Sequence, residues 1–342
     1  MLTIYSDLHF SHRGTEWVNG ERHPSVESPA RATHVLSAVR AAALGDCRVA
    51  EPYPITDYMS VHSERYVRFL ESVWRVWSDA GQTHHALPLV WPTRTITNDR
   101  EPEHVEGKLG FYAGDAFAAI TAGTWEAARA SADVALSAMQ VVARGASSAF
   151  ALCRPPGHHA ARETMGGYCY LNNAALAAQG FLDRGASRVA ILDIDYHHGN
   201  GTQSIFEARD DVLFVSLHGD THRTYPYFCG HADERGTGEG LGYTMNLPLP
   251  HGTGWHGYRD ALVHACDRIA EYSPDAIVIS LGVDTFKDDP ISRFAIESDE
   301  YLQIGHQIAK LARPTLFVME GGYCVDDIGI NVSNTLIGFK NG

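Results

Sequence analysis

Five short apolar runs recur along this chain, and they alternate with stretches of helical composition. They fall at 147–152, 188–192, 212–217, 276–281 and 315–319, and are rich in Val, Ile, Leu and Phe. Runs of this kind suit strands buried on both faces, which occur where helices cover both sides of a parallel sheet. Helical stretches at 173–184, 258–272 and 301–312 lie among them. A first strand at 2–5, a polar loop through about Pro29, and helices at 31–43, 57–77 and 111–144, the last broken near Gly123-Thr124, precede them. The expected fold is therefore α/β: a single domain over 1–342, with a multi-stranded parallel β-sheet and helices on both faces. Ligands in such folds bind outside the carboxyl ends of the strands.

The loops that follow these runs hold the chain's unusual side chains. After 188–192 comes Asp193-Ile194-Asp195-Tyr196-His197-His198-Gly199-Asn200-Gly201-Thr202, where Asp193, Asp195 and His197 share one face while the backbone stays extended. Alone, the segment also suits a strand end whose polar residues cap the next helix. After 147–152, Arg154-Pro155-Pro156-Gly157-His158-His159 stiffens the backbone just before paired histidines, an arrangement suited to positioned proton transfer. Gly166-Gly167-Tyr168-Cys169 sets an aromatic on a tight turn, and Asn172-Asn173 opens a helix, where capping is explanation enough. Gly282-Val283-Asp284 and Glu320-Gly321-Gly322-Tyr323 follow the last two runs. If the sheet is parallel, these loops meet at one edge. Asp195, His197 and Asp284 then form an oxygen, nitrogen, oxygen donor set with open positions, the pattern of a catalytic metal site. Such donors suit Zn2+, with Fe2+ and Co2+ as alternatives.

A formal charge of −14 disfavours nucleic acid and favours a small cationic partner. No apolar run approaches membrane-spanning length and no basic-then-apolar leader is present, so the expectation is a cytoplasmic enzyme with no membrane partner. The scattered cysteines, without a C-x-x-C pair, agree with a reducing compartment. Residues 81–110, with Pro88, Pro92 and Pro102 and the acidic Glu101, Glu103 and Glu106, read as an inserted loop that meets a second subunit or roofs the site. A plain surface excursion is the other reading.

Together, the Arg154–His159, Gly166–Cys169, Asp193–Thr202, Ser216-Leu217-His218, Gly282–Asp284 and Glu320–Tyr323 motifs closely resemble the arginase/deacetylase superfamily, over about residues 106–335. The resemblance is greatest to bacterial acetylpolyamine amidohydrolases and class II-like histone deacetylases. It implies the arginase/deacetylase fold, with Zn2+ held by Asp195, His197 and Asp284. It implies His159 as general base and then acid, His158 as its electrostatic partner with Asp193 behind it, and Tyr323 as the phenol that polarises the amide carbonyl. Asn200 stands where some relatives place an Asp behind the second histidine, and an amide supports imidazole basicity less than a carboxylate does. Two structural K+ sites are also implied, one at Asp193, Asp195, His197, Ser216 and Leu217, the other at Phe206, Arg209, Val212 and Tyr243. The two-metal ureohydrolases of the superfamily would carry further Asp residues at the positions of Gly199 and Gly282, so amide hydrolysis is expected rather than guanidine hydrolysis.

The expected reaction is hydrolysis of the acetyl amide of acetylated polyamines, of acetylputrescine, acetylcadaverine or acetylspermidine type, by a homodimer. The acidic balance, the acidic insertion, and Tyr168 with Tyr225 lining a narrow tunnel beside Gly167 favour that substrate. Ile291 occupies the position where some polyamine deacetylases carry a gatekeeper acid. That leaves Glu106, from either subunit, as the candidate for the distal amine. The alternatives are a peptide acetyl-lysine deacetylase and a non-catalytic polyamine-binding protein. Retention of His158, His159 and Tyr323 speaks against the second, since binding alone needs no proton carrier.

Overall fold

Apolar runs without polar alternation need cover on both faces, and the strands they form receive it. The computed structural model describes residues 1–93, 95 and 100–342. Its strands are β1 (Leu2–Tyr5), β2 (Thr15–Val18), β3 (Glu21–Pro24), β4 (Cys47–Val49), β5 (Ser148–Ala151), β6 (Val189–Asp193), β7 (Val212–Gly219), β8 (Thr244–Leu249), β9 (Ala276–Leu281) and β10 (Thr315–Met319). Eight of them form one sheet in the order β4-β1-β5-β10-β9-β6-β7-β8, parallel throughout, and β2 and β3 make a separate antiparallel hairpin. Every residue of β5, β6, β7, β9 and β10 is buried. Helix Thr124–Ala143, built largely of small residues, packs with helix Asn173–Leu182 against the sheet. Helices Trp255–Tyr272, Glu300–Ala309, Val325–Asn341 and Pro29–Ala41 form a second continuous layer.

The order of the strands decides where function can sit. From β5 the chain skips to β6, runs outward through β7 and β8, then returns to insert β9 and β10 between β6 and β5. The carboxyl ends of β5, β10, β9 and β6 therefore stand side by side, although their loops lie far apart in sequence.

Several elements depart from what the sequence suggests. A helix over 111–144 is present only from Thr124; before it, Ala113 bridges Met165 and Ile120 bridges Ala86. Gly114 lowers helix propensity there, and the Asp115 carboxylate accepts the N–H groups of Phe117 and Gly167 at 2.7 and 2.9 Å, a local alternative to helix. The stretch 57–77 splits into Ile55–Tyr58 and Glu64–Asp79, the second capped by Ser63, whose hydroxyl accepts the Tyr66 N–H at 3.3 Å. Tyr66, Phe69, Val73 and Trp77 are buried, but Val76 faces solvent. The polar N-terminal loop contains the β2–β3 hairpin. Within 81–110, residues 94 and 96–99 lie outside the described residues, and Val105–Phe111 is a helix rather than loop. Among the described residues, no helix is long and apolar enough to cross a membrane.

Candidate metal centre

The ends of β6 and β9 bring Asp195, His197 and Asp284 together. Asp193, the last residue of β6, pairs with Ser216 on one side and Ser280 on the other. Its Oδ1 accepts the Asp195 N–H at 3.1 Å, and Asp195 Oδ1 accepts the His197 N–H at 2.9 Å, so each acid sets the backbone two residues further on. Donor atoms of Asp195, His197 and Asp284 lie within 4.8 Å of one another, and all three residues are buried. His197 turns Nδ1 inward, 2.9 Å from Asp284 Oδ2 and 3.4 Å from Asp195 Oδ1. Gly321 N–H donates to Asp195 Oδ2 and Tyr196 N–H to Asp284 Oδ1, each at 2.7 Å.

These residues fit a divalent cation. Burial, and then the neighbouring Asp195, push the Asp284 carboxyl upward, as expected of two desolvated acids sharing a point where a cation would relieve both. The surroundings leave them room: a Cβ at Gly321 would lie 2.5 Å from Asp195 Oδ2 and 2.7 Å from Asp284 Oδ2, and one at Gly282 would overlap the Asp195 carboxylate. A Cβ at Gly199 would overlap Asp193. A side chain at Gly282 or Gly199, where the resemblance would put the acids of a second metal, would thus collide with Asp195 or Asp193, which leaves a three-donor set of the kind that catalytic metal sites use.

The β5 and β10 loops supply the proton-bearing groups. His158 Nδ1–H donates to Asp193 Oδ2 at 3.0 Å. Burial alone would lower its pKa, but the Asp195 and Asp193 charges outweigh that and push it up to about 10. His159 behaves oppositely: burial, with His158 and His197 nearby, holds it well below the ordinary imidazole value. Its Nδ1–H donates to Asn200 Oδ1 at 2.7 Å, which leaves Nε2 as a lone pair. Glu320 Oε2 accepts the N–H groups of Gly157 and His158 at 2.6 and 3.1 Å, fixing the loop before the histidine pair. Tyr323 N–H donates to Asp289 Oδ2 at 2.7 Å, and the Arg31 guanidinium sits 4.8 Å from its ring. Arg31 also donates to the carbonyls of Glu320 and Gly322, and is ion-paired to Glu27, which Arg154 pairs in turn. Of this clamp the sequence reading singled out only the motif residues Arg154 and Glu320. Nothing marks Glu27, Arg31 or Asp289 as more than polar residues near element ends.

A pocket of about 420 Å3 opens over the centre, lined by His159, His197 and Tyr323 together with Gly167, Tyr168, Tyr225 and Ile291. Tyr168, at φ 67°, hangs its ring 5.8 Å from that of Tyr323 and donates its hydroxyl to Glu16 Oε2 at 2.7 Å. The Tyr225 ring lies 4.9 Å from His159, and its hydroxyl donates to Asp115 Oδ2 at 2.5 Å. Gly167 has a positive φ and no room for a Cβ, which would overlap the His159 ring. Glu106 is not brought there: it is exposed at the start of helix Val105–Phe111 and does not line this chain's pocket. Sequence alone does not single out Glu16 and Phe117, which line the pocket, or Asp115, which braces it. For the two K+ expectations, Asp193 faces Ser216 across β6 and β7, with Leu217 next. Phe206, Arg209 and Val212 surround the entry to β7, and the Tyr243 carbonyl accepts the Phe214 N–H at 2.9 Å.

Comparison with known proteins agrees along the chain. The histone deacetylase domain matches residues 23–337. The chain is 54% identical over 341 residues, 99% of each protein, to acetylpolyamine amidohydrolase 2 of Pseudomonas aeruginosa. It is 46% identical over 339 residues, again 99% of each, to acetylpolyamine amidohydrolase of Mycoplana ramosa. The crystal structure of acetylpolyamine aminohydrolase from Burkholderia pseudomallei superposes with a TM-score of 0.94 at 39% identity, covering 99% of this chain and 98% of that one.

Proposed function

The chain belongs to the histone deacetylase domain family and is a metal-dependent amidohydrolase, and from that premise we propose that it hydrolyses the acetyl amide of acetylated polyamines with zinc as its metal, releasing acetate and the free amine. One observation carries the reading: the buried Asp195, His197 and Asp284 set shares its pocket with the unprotonated Nε2 of His159 and the phenol of Tyr323.

Zinc held by those three residues would polarise the carbonyl and acidify the attacking water toward a pKa of about 7. His159 Nε2 takes the water's proton as attack begins. His158, whose Nδ1–H is held by the Asp193 carboxylate, carries the charge that makes a doubly protonated pair costly, so His159 readily passes its proton on to the departing amine. The Tyr323 hydroxyl donates to the carbonyl oxygen as negative charge develops. Arg31, Asp289 and Glu320 keep the phenol loop and the histidine loop in register.

The same proposal includes structural K+ at the two places described above, a cytoplasmic setting in keeping with the six unpaired cysteines, and a homodimer. The exposed Leu89, Val90 and Trp91 of the inserted segment support the last. Light scattering would return twice the chain mass. The reaction is tested by turnover of acetylputrescine, acetylcadaverine, acetylspermidine and an acetyl-lysine tetrapeptide, using metal-stripped enzyme with and without Zn2+. Zinc-restored cleavage of the acetylated amines ahead of the peptide is expected. Preference for the peptide would replace the proposal with peptide deacetylation.

A further inference from the structure

One carboxylate faces the pocket from outside the metal centre. Glu16, on hairpin strand β2, is 6% exposed, and among the described residues lining the pocket it is the sole acid. Its Oε1 accepts the Val26 N–H at 3.0 Å and its Oε2 accepts the Tyr168 hydroxyl at 2.7 Å. An ionised carboxylate offers about four lone-pair positions, so about two remain for a ligand. The other nearby acids are otherwise engaged. Asp115 accepts Phe117 and Gly167 N–H and the Tyr225 hydroxyl, Asp289 accepts Ile291 and Tyr323 N–H, and neither lines the pocket. Arg223 and Arg293 also line it, and neither pairs with Glu16.

Building on the polyamine reading above, we propose that Glu16 is a specificity-determining residue that receives the distal ammonium of the substrate. Tyr168 is the spacer: its ring stands beside Tyr323 at one end and its hydroxyl touches Glu16 at the other. The path from the reacting amide to Glu16 thus runs the length of one tyrosine side chain, which matches a mono-acetylated diamine with a short methylene chain. A partly buried ammonium and carboxylate attract more strongly than in bulk water, and the ring face of Tyr168 adds cation–π attraction along the way.

The test uses the zinc-loaded enzyme and its Glu16→Gln and Tyr168→Phe variants, with acetylputrescine and the neutral N-butylacetamide as paired substrates. Glu16→Gln is expected to raise the KM of acetylputrescine about ten- to a hundredfold, in keeping with a lost hydrogen bond to a charged group, with a much smaller change for the neutral amide. Tyr168→Phe, which retains the carboxylate, is expected to keep the preference for the charged substrate. Equal losses on both substrates in Glu16→Gln, or an unchanged KM for acetylputrescine, would overturn the assignment. Calorimetric titration of 1,4-diaminobutane reads the same subsite without turnover. Binding weakened by Glu16→Gln supports the assignment even if the wild type cleaved neither amide, an outcome that would count against the proposed reaction instead. Binding of equal strength in both proteins overturns the assignment.

Discussion

At the scale of single residues, Tyr323 and Asn200 carry the sharpest expectations. Tyr323→Phe removes one hydroxyl from a residue whose backbone is anchored by Asp289 and whose ring is braced by Arg31. Metal content by elemental analysis should stay stoichiometric while turnover falls about 10²- to 10³-fold, the usual loss for one oxyanion donor. Unchanged turnover would remove the phenol from the mechanism. Asn200→Asp sets a carboxylate against His159 Nδ1–H and so raises the pKa of a base that burial holds well below the imidazole range. A base works only when neutral, so the acid limb of the kcat/KM profile should move to higher pH in the variant; a limb that stays put would show that His159 is not the titrating base. Asp195, His197 and Asp284 were legible in sequence because metal-binding side chains cluster directly after buried strands. Glu16 and Arg31 were not, since a lone Glu or Arg acquires meaning only from what the fold brings against it.

At the scale of elements, the junctions between strands and helices hold the geometry. Asn172 caps helix Asn173–Leu182 by accepting the Ala175 N–H at 2.9 Å, and its amide also donates to Ala160 O and Thr202 Oγ1. Asn172→Ala therefore loses a cap and strands buried acceptors, which should cost about 2–4 kcal/mol in denaturant unfolding. A loss no larger than that of a surface substitution would deny the amide this bridging role. Gly282, just beyond β9, has no space for a Cβ against Asp195. Gly282→Ala should abolish stoichiometric metal binding, as read by elemental analysis, and full occupancy would contradict the steric argument. The central strands were readable because burial on both faces leaves an uninterrupted apolar signature. β4, β8 and the β2–β3 hairpin were not, since edge and satellite strands carry half-buried or exposed residues that look like loop. Residues 112–123 misled through their alanines, because the Asp115 hydrogen bonds that override helix propensity arise only in the folded chain.

At the scale of the whole molecule, acid should be the weakness of this protein. His12, His62 and His218 are buried and desolvated, each with its pKa lowered to about 4. His62 is held neutral, with Nδ1–H donating to Ala161 O and Nε2 accepting the Asn172 N–H, both at 2.9 Å. Between pH 4 and 6.5 the unfolded chain binds protons that the folded one refuses. The contribution of these histidines to stability is therefore full above pH 6.5 and drains away as pH falls toward 4, with His62 alone responsible for on the order of 3 kcal/mol. Thermal midpoints should fall steeply over that window, and His62→Gln should flatten the decline; a flat profile in the wild type would contradict it. The strand order has one more consequence. The reaction chemistry hangs from the four central strands, whereas the tyrosine-bearing loop beyond β7 and the β2–β3 hairpin border the entrance from outside that block. Swapping those two border segments between relatives should retarget the enzyme while its chemical engine stays untouched, making the molecule a chassis with an interchangeable front.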